Sequence, residues 1–233
     1  MSVLIARLLS LRQELAIELQ RFILLWRYHN HVPPFALWWR LVLKRIVDVI
    51  GSAIGLIVGA PLMALIALAV RADSKGPMLY SQERVGRFGD TFKIYKFRTM
   101  AVDAEAKGPV WAAGAQDPRL TRVGAFLRRT HLDELPQLFN VLIGHMSLVG
   151  PRPERPHFVH ELNTAIPSYD QRLLIKPGLT GLAQVHYRYD ASIADVKRKL
   201  RFDLLYVKRM CLALDARILV WTILVVVTGR GIK

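Results

Sequence analysis

The sequence predicts an α/β protein: a compact, mostly helical unit with a small sheet, anchored by a re-entrant membrane helix-break-helix and by interfacial amphipathic helices. Three observations carry this. Ile46–Val70 is almost continuously apolar yet contains Pro61. The chain before it has apolar residues at helical spacing. The chain after Val70 takes on the composition of a soluble domain, with two short strand patterns followed by helical ones.

Residues 1–28 read as an amphipathic helix: Leu4, Leu8, Leu11, Leu15, Leu19 and Phe22 recur at helical spacing, with Arg7, Glu14, Glu18 and Arg21 between them. Trp26, Trp38 and Trp39 suit a membrane interface. As a helix rising about 1.5 Å per residue, the run Ile46–Val70 could span a bilayer core of roughly 30 Å. Against a simple span, Pro61 with Gly59 breaks the hydrogen-bond ladder in the second half of the run. Both flanks are also basic, with Arg40, Lys44 and Arg45 before and Arg71, Lys75, Arg84 and Arg87 after, which keeps both ends on one side. A re-entrant hairpin satisfies both facts, and a proline-kinked span is the alternative. Gly51, Gly55 and Gly59 form a small-xxx-small face that admits a second helix. The run is too long and too far from the N-terminus for a signal peptide.

In the following domain, Met78–Ser81 and Thr91–Phe97 read as strands, joined by a turn at Gly86–Asp90. Lys107–Pro118 reads as a mobile loop. Helical patterns follow at Glu134–Ile143, with Pro136 in the first turn, at His157–Thr164 and at Ser192–Arg209. Lys176-Pro177-Gly178-Leu179-Thr180-Gly181 reads as a turn bringing backbone N–H groups close to another group, and Ile218–Val227 as an interfacial or core helix. No internal repeat or low-complexity tract interrupts this order.

Hydrophobic residues make up 52% of the 233, the mean hydropathy is +0.25, and the formal charge is +15 with a pI near 10.4. Such a charge calls for an anionic partner, for which nucleic acid, anionic lipid headgroups and phosphorylated substrates all qualify, and together with the hydrophobicity it favours the lipid surface over nucleic acid. The single Cys211 excludes an intramolecular disulfide and fits a reducing compartment.

The most informative tetrad is Leu132-Asp133-Glu134-Leu135, two adjacent carboxylates in a cationic stretch. Arg119, Arg122, Arg128 and Arg129 precede it, and Arg152 and Arg155 follow. Positive neighbours lower carboxyl pKa values, so both acids are expected to be ionised. An ionised Asp can attack a phosphorus or hold a metal, while arginines grip phosphate, a combination that suggests phosphoryl transfer. The competing local reading is helix capping, since Thr130-His131-Leu132-Asp133 also fits a capping box.

Five ordered motifs decide between these. Lys44-Arg45-Ile46-Val47-Asp48, Lys96-Phe97-Arg98-Thr99-Met100, Leu132-Asp133-Glu134-Leu135-Pro136-Gln137, Gly150-Pro151-Arg152-Pro153 and Lys176–Gly181 together resemble the bacterial sugar transferase family, the monotopic phosphoglycosyl transferases, from about Lys44 to Lys233. The resemblance implies transfer of a sugar-1-phosphate from a nucleotide diphosphate sugar (a UDP-sugar) to membrane polyprenyl phosphate (undecaprenyl phosphate), releasing nucleoside monophosphate. By that resemblance Asp133 is the nucleophile that forms a covalent phosphosugar intermediate. Glu134 positions Mg²⁺ together with Asp133 and is a candidate to deprotonate the acceptor, and Arg98, Arg128 and Arg152 bind substrate phosphate or nucleotide. Asp203 supports the site, and Pro61 makes the membrane break. The implied location is the bacterial cytoplasmic membrane, with the catalytic part facing the cytoplasm.

The chain departs from the family pattern at Ala60-Pro61, where Ser-Pro is common. His186-Tyr187-Arg188-Tyr189, with Gly229-Arg230-Gly231, is similar to the exopolysaccharide-assembly branch. The expected organisation is a small, catalytic-unit form: an N-terminal extension over 1–43, a re-entrant helix over 44–72 and a catalytic domain over 73–233. The sugar, the nucleotide base, the exact polyprenol and the oligomeric state stay open, a homodimer among the options. Two other classes compete, a membrane scaffold of the same fold without turnover and a basic nucleic-acid binder, and no nucleic-acid motif supports the second.

Overall fold

The computed structural model describes residues 2–29, 31–102, 104, 117–187 and 193–228. The Lys107–Pro118 reading falls mostly outside these residues, as do Arg188, Tyr189, Ser192, Gly229–Gly231 and the side chains of Leu4, Leu8 and Leu11.

Two long helices open the chain, α1 (Ser2–Tyr28) and α2 (Pro34–Asp73). Pro34 starts α2 as a proline is suited to do, because its missing N–H falls where the helix has no acceptor for one. Helix α2 runs continuously through Pro61. By length and composition it can cross a membrane, and among the described residues it is the one helix that can. One face of it packs on the domain: Leu37, Lys44, Asp48 and Ser52 are buried in its first half, Ile66 and Val70 in its second. The opposite face leaves Ile54, Ile57, Val58, Leu65 and Leu68 exposed. The small-residue face receives the domain. A Cβ on Gly51 would meet Leu148 at 2.8 Å and one on Gly55 would meet Leu138 at 3.0 Å, whereas nothing approaches Gly59.

Strands β1 (Leu79–Val85) and β2 (Thr91–Phe97) form an antiparallel hairpin, in register from Leu79 opposite Phe97 to Val85 opposite Thr91. Its turn is a 3-10 segment, Arg87–Gly89. Helix α3 (Arg122–Thr130) follows, capped by Thr121, whose side chain accepts from the Gly124 N–H at 3.0 Å. Thr130 does not cap the next helix. Its hydroxyl donates back to Phe126 and Leu127, and His131 turns the chain in a left-handed conformation with φ 58°. The capping-box reading of Thr130 and Asp133 is therefore set aside.

Helix α4 (Gln137–Ile143) leads to β3 (Ser147–Val149), which pairs in parallel with β4 (Gly178–Thr180). The Lys176–Gly181 motif is thus strand, not turn, at its centre, although the close backbone approach expected there is present. The Gly178 N–H donates to the Pro151 carbonyl at 2.9 Å, and a Cβ on Gly178 would fall 2.0 Å from the Gly150 nitrogen. Only glycine permits that approach. Helices α5 (Pro156–Ala165), α6 (Leu182–His186), α7 (Ile193–Arg209) and α8 (Leu212–Thr228) complete the fold.

The largest core joins the end of α1 (Leu25) and the start of α2 (Leu37) to Val149, Val185, Tyr206 and Ile218. A second core, with Phe158, Leu162 and Val196, lies between α5 and α7. Ile66 and Val70 of α2 pack on Phe97 and Leu127. The apolar helix is therefore joined to the domain through both of its ends, with the stretch around Gly59 uncovered.

Candidate active site

A cavity of about 1020 Å³ opens between the hairpin, the 3-10 turn Leu132–Glu134 and helices α7 and α8. Asp133, Glu134, Arg128, Arg152, Lys96 and Asp203 all line it. The two carboxylates are adjacent in the chain but have opposite environments. Glu134 accepts from Lys96 Nζ at 2.6 Å and from Arg152 Nη2 at 2.7 Å, both at Oε1. Its Oε2 has only a long contact of 3.5 Å from Arg152 Nη1. Asp133 is buried at 6% exposure and makes no hydrogen bond or ion pair among the described residues.

These environments separate the two acids. Burial works against ionisation of Glu134, but the Arg152 and Lys96 charges outweigh it and hold this carboxyl well below the usual range. Burial, followed by the neighbouring Glu134 charge, pushes Asp133 above its ordinary value, despite Lys96, Arg128 and Arg152. The expectation that cationic neighbours lower both acids holds for Glu134 and is corrected for Asp133, where desolvation wins. Lys96 is itself lowered by burial, with Glu134 acting against that.

Lys96 reaches the site because of its strand phase. Phe92 and Ile94 of β2 are buried on one face of the hairpin, and Lys96 follows at the next inward position. A lysine in the apolar phase of an amphipathic strand is the signal for this residue, to which the sequence analysis assigns no role.

Arg152 is fixed from behind. Its carbonyl accepts from Arg172 Nη2 at 2.8 Å, and Arg172 also donates through Nε to Asp203 at 3.0 Å and through Nη1 to the Tyr169 hydroxyl at 3.0 Å. Arg172 and Asp203 are both nearly sealed from solvent. Burial pushes the Tyr169 hydroxyl up to about 12, so it stays protonated. Asp203 therefore supports the site through Arg172, a residue that sequence reasoning did not single out.

Arg128 donates through Nε to Thr99 Oγ1 at 3.2 Å, and its charge reaches Asp133. Arg98 also lines the cavity, but its terminal nitrogens are committed elsewhere and only its buried Nε is left without a partner among the described residues. Nη1 binds the Lys75 carbonyl at 2.6 Å, and Nη2 binds the Ser74 carbonyl and hydroxyl at 2.7 and 2.8 Å. It closes the C-terminal end of α2. Pro61, within α2, takes no part in this cluster.

A hard divalent cation suits the donor set. Mg²⁺ is held by one or two carboxylates plus substrate phosphate and water, and here Asp133 is uncommitted and Glu134 Oε2 is barely engaged. No group of three or more His, Cys, Asp or Glu gathers among the described residues, so a closed protein cage for a metal is absent from them.

A buried carboxylate pair on a 3-10 turn, set among arginines beside a small sheet and a long apolar helix, has the charge pattern of a site for phosphorylated ligands. The family profile described as "Bacterial sugar transferase" matches residues 39–229, and the chain belongs to that family. A Bacillus subtilis (strain 168) protein named "Putative undecaprenyl-phosphate N-acetylgalactosaminyl 1-phosphate transferase" is 49% identical over 152 residues, covering 65% of this chain and 80% of that one. The UDP-N-acetylgalactosamine-undecaprenyl-phosphate N-acetylgalactosaminephosphotransferase of Aeromonas hydrophila is 41% identical over 191 residues, 82% of this chain and 45% of its own length. The exopolysaccharide production protein PSS of Rhizobium leguminosarum bv. phaseoli is 41% identical, covering 82% of this chain and 98% of that protein. The chain thus spans less than half of the Aeromonas relative and nearly all of the Rhizobium one.

Proposed function

We propose that this protein transfers a sugar-1-phosphate from a nucleotide diphosphate sugar to polyprenyl phosphate, beginning the assembly of an exopolysaccharide or other surface glycan. The observation that carries the reading is the division of labour between the two acids. Asp133 is buried, uncommitted and available, while Glu134 is neutralised by two cations.

In the first step an Asp133 carboxylate oxygen attacks the sugar-proximal phosphorus of the donor. The bond from that phosphorus to the bridging oxygen breaks, and the nucleoside monophosphate leaves with the electron pair. The product is an acyl phosphosugar on Asp133. In the second step a phosphate oxygen of the polyprenyl acceptor attacks the same phosphorus, freeing the Asp133 carboxylate and giving a polyprenyl diphosphate sugar. A carboxylate nucleophile divides one hard displacement into two easier ones. The raised Asp133 pKa makes its anion more basic and a better nucleophile, provided the pH is high enough to ionise it.

Arg128 and Arg152 neutralise the donor's phosphates, the prolines on both sides of Arg152 restricting its backbone. Glu134, held ionised, is a weak base. Its part is to orient Arg152 and, with Asp133, to hold Mg²⁺, which when bound neutralises phosphoryl oxygens. An acceptor phosphate whose second pKa is about 6 needs no strong base.

The apolar face of α2 and its basic flanks support a re-entrant anchor in the bacterial cytoplasmic membrane, with the cavity on the cytoplasmic side. The names of the relatives support a UDP-sugar donor and undecaprenyl phosphate as acceptor. The test is nucleoside monophosphate release from a panel of nucleotide sugars, with polyprenyl phosphate and Mg²⁺, by wild type and Asp133→Asn. Donor-dependent release that the substitution abolishes, with a phosphosugar adduct on the Asp133 peptide, is the expected result. A folded, lipid-embedded protein that releases nothing from any donor is a scaffold instead.

A further inference from the structure

Outside the cavity, two cations converge on a notch above Gly144, at the end of α4. The point where a Cβ of residue 144 would sit is 3.2 Å from Arg45 Nη2 and 3.4 Å from Lys176 Nζ, so the missing side chain keeps the notch open. Gly144 also has φ +95°, a left-handed conformation that glycine adopts without strain. Arg45 is anchored, its two terminal nitrogens donating to the Val141 and Leu142 carbonyls at 2.6 and 2.7 Å. Lys176 has no hydrogen bond or ion pair among the described residues.

The surrounding charge does not compensate this lysine. Burial, then Arg45 and Arg87, press its pKa down, and the smaller opposing influence of Asp48 and Glu18 does not reverse that. Asp48 is turned toward β3, where its Oδ1 accepts from the Ser147 hydroxyl at 3.0 Å and from the Leu148 N–H at 2.9 Å. Glu18 is paired with Arg21 at 3.0 Å. Like charges brought together in a partly desolvated site call for an anion between them.

The place of the notch identifies the anion. Arg45 directly precedes Ile46 and Val47, which begin the exposed apolar face of α2 at 47% and 42% exposure. Trp38 and Trp39, exposed and about two turns earlier, are residues of the headgroup level. Whether α2 turns back or spans, the start of its apolar run lies at that level, where lipid phosphates are. From this we infer that Arg45, Lys176 and the open position at Gly144 form a binding site for the phosphodiester of an anionic phospholipid headgroup, separate from the transfer site.

Native mass spectrometry of the full chain, released from nanodiscs of phosphatidylglycerol or of phosphatidylcholine, tests this. Wild type is expected to retain one phosphatidylglycerol and no phosphatidylcholine. Lys176→Gln should cut retention about tenfold, the value of one charge-assisted hydrogen bond. Lys176→Arg should keep it, and so should Lys208→Gln, which removes the same charge from an exposed position of α7. Asp133→Asn should also retain the lipid, which separates this result from the fate of the transfer reading. Retention by Lys176→Gln equal to wild type would overturn the site. So would displacement of the wild-type lipid by millimolar inorganic phosphate, which would make the notch a free-phosphate site.

Discussion

The Nζ of Lys96 stands 2.6 Å from Oε1 of Glu134, the same oxygen that Arg152 holds at 2.7 Å from the other side. One carboxylate oxygen thus ties the hairpin to the Pro151-Arg152-Pro153 segment, so Arg152 and then Lys96 hold Glu134 ionised and fix its direction. Lys96→Met removes one of two counter-charges and raises the Glu134 pKa. Turnover is expected to fall about 10- to 100-fold, the worth of a charged hydrogen bond, with the acid limb of the rate profile displaced to higher pH. Lys96→Arg should recover part of the loss. A profile that keeps its acid limb would reduce Lys96 to a packing role.

The carboxylates themselves make opposite predictions for stability. Asp133 has a folded pKa above its unfolded one, so its contribution is favourable at low pH and is lost as pH rises through the folded value. Asp133→Asn should therefore raise the melting temperature near neutral pH, by about 2–4 °C if ~1 kcal/mol is recovered, and have no such effect at pH values below the unfolded pKa of about 4. Glu134 has a depressed folded pKa, so its stabilisation is present above its unfolded value and disappears as pH falls through the folded one. Glu134→Gln should lower the melting temperature at neutral pH. Calorimetry of both variants in one lipid mimetic checks the signs, and equal shifts for the two would refute the separation.

What the sequence disclosed was governed by how much of each element is local. The α2 run and the strand Thr91–Phe97 are written in periodicity over seven or more residues, and their outlines were legible. The β3–β4 pair has three residues a side and is made by glycines in contact across the fold, so Gly178–Thr180 passed for a turn. At the site, Asp133, Glu134, Arg128 and Arg152 came from motif order, and the cavity unites them. Arg98 belongs to the same motif as Lys96 but faces the Ser74 and Lys75 carbonyls, and only the three-dimensional path of α2 reveals that. Arg172 is invisible for the same reason. Its partners Asp203 and Arg152 are 31 and 20 residues away.

Arg172 acts on Arg152 through the backbone, and that separates its substitution from loss of the fold. With the guanidinium gone, the Arg152 carbonyl and Asp203 lose their donors, and Arg152 is free to shift between its prolines. Arg172→Lys should raise KM for the nucleotide sugar more than it lowers kcat, since a point charge replaces a fork that satisfies three acceptors. Asp203→Asn should change KM in the same direction by a smaller factor. Steady-state kinetics with the donor varied decides this. A pure kcat loss would place Arg172 in the chemical step instead.

At the other end of the molecule a buried ion pair joins the apolar helix to the C-terminal one. Lys44 Nζ lies 2.8 Å from Asp215 Oδ2, and the Tyr206 hydroxyl donates to Asp215 Oδ1 at 2.6 Å. Both charged side chains are nearly enclosed, at 11% and 7% exposure. Breaking such a pair from one side strands a buried charge at a cost of about 3–5 kcal/mol, whereas replacing both partners by apolar groups is often neutral. Lys44→Met should therefore lower the melting temperature strongly and loosen α8 from α2. Lys44→Met combined with Asp215→Leu should restore most of the stability, although the Tyr206 hydroxyl keeps only the Val149 carbonyl as acceptor, at 3.1 Å. Hydrogen exchange over Leu212–Thr228 gives the readout. Fast exchange in the single variant and slow exchange in the double variant is the expected pattern, because the clamp acts through charge balance and not through a contact that only lysine can make. Equal loss of protection in both variants would assign the pair a packing role specific to these two side chains.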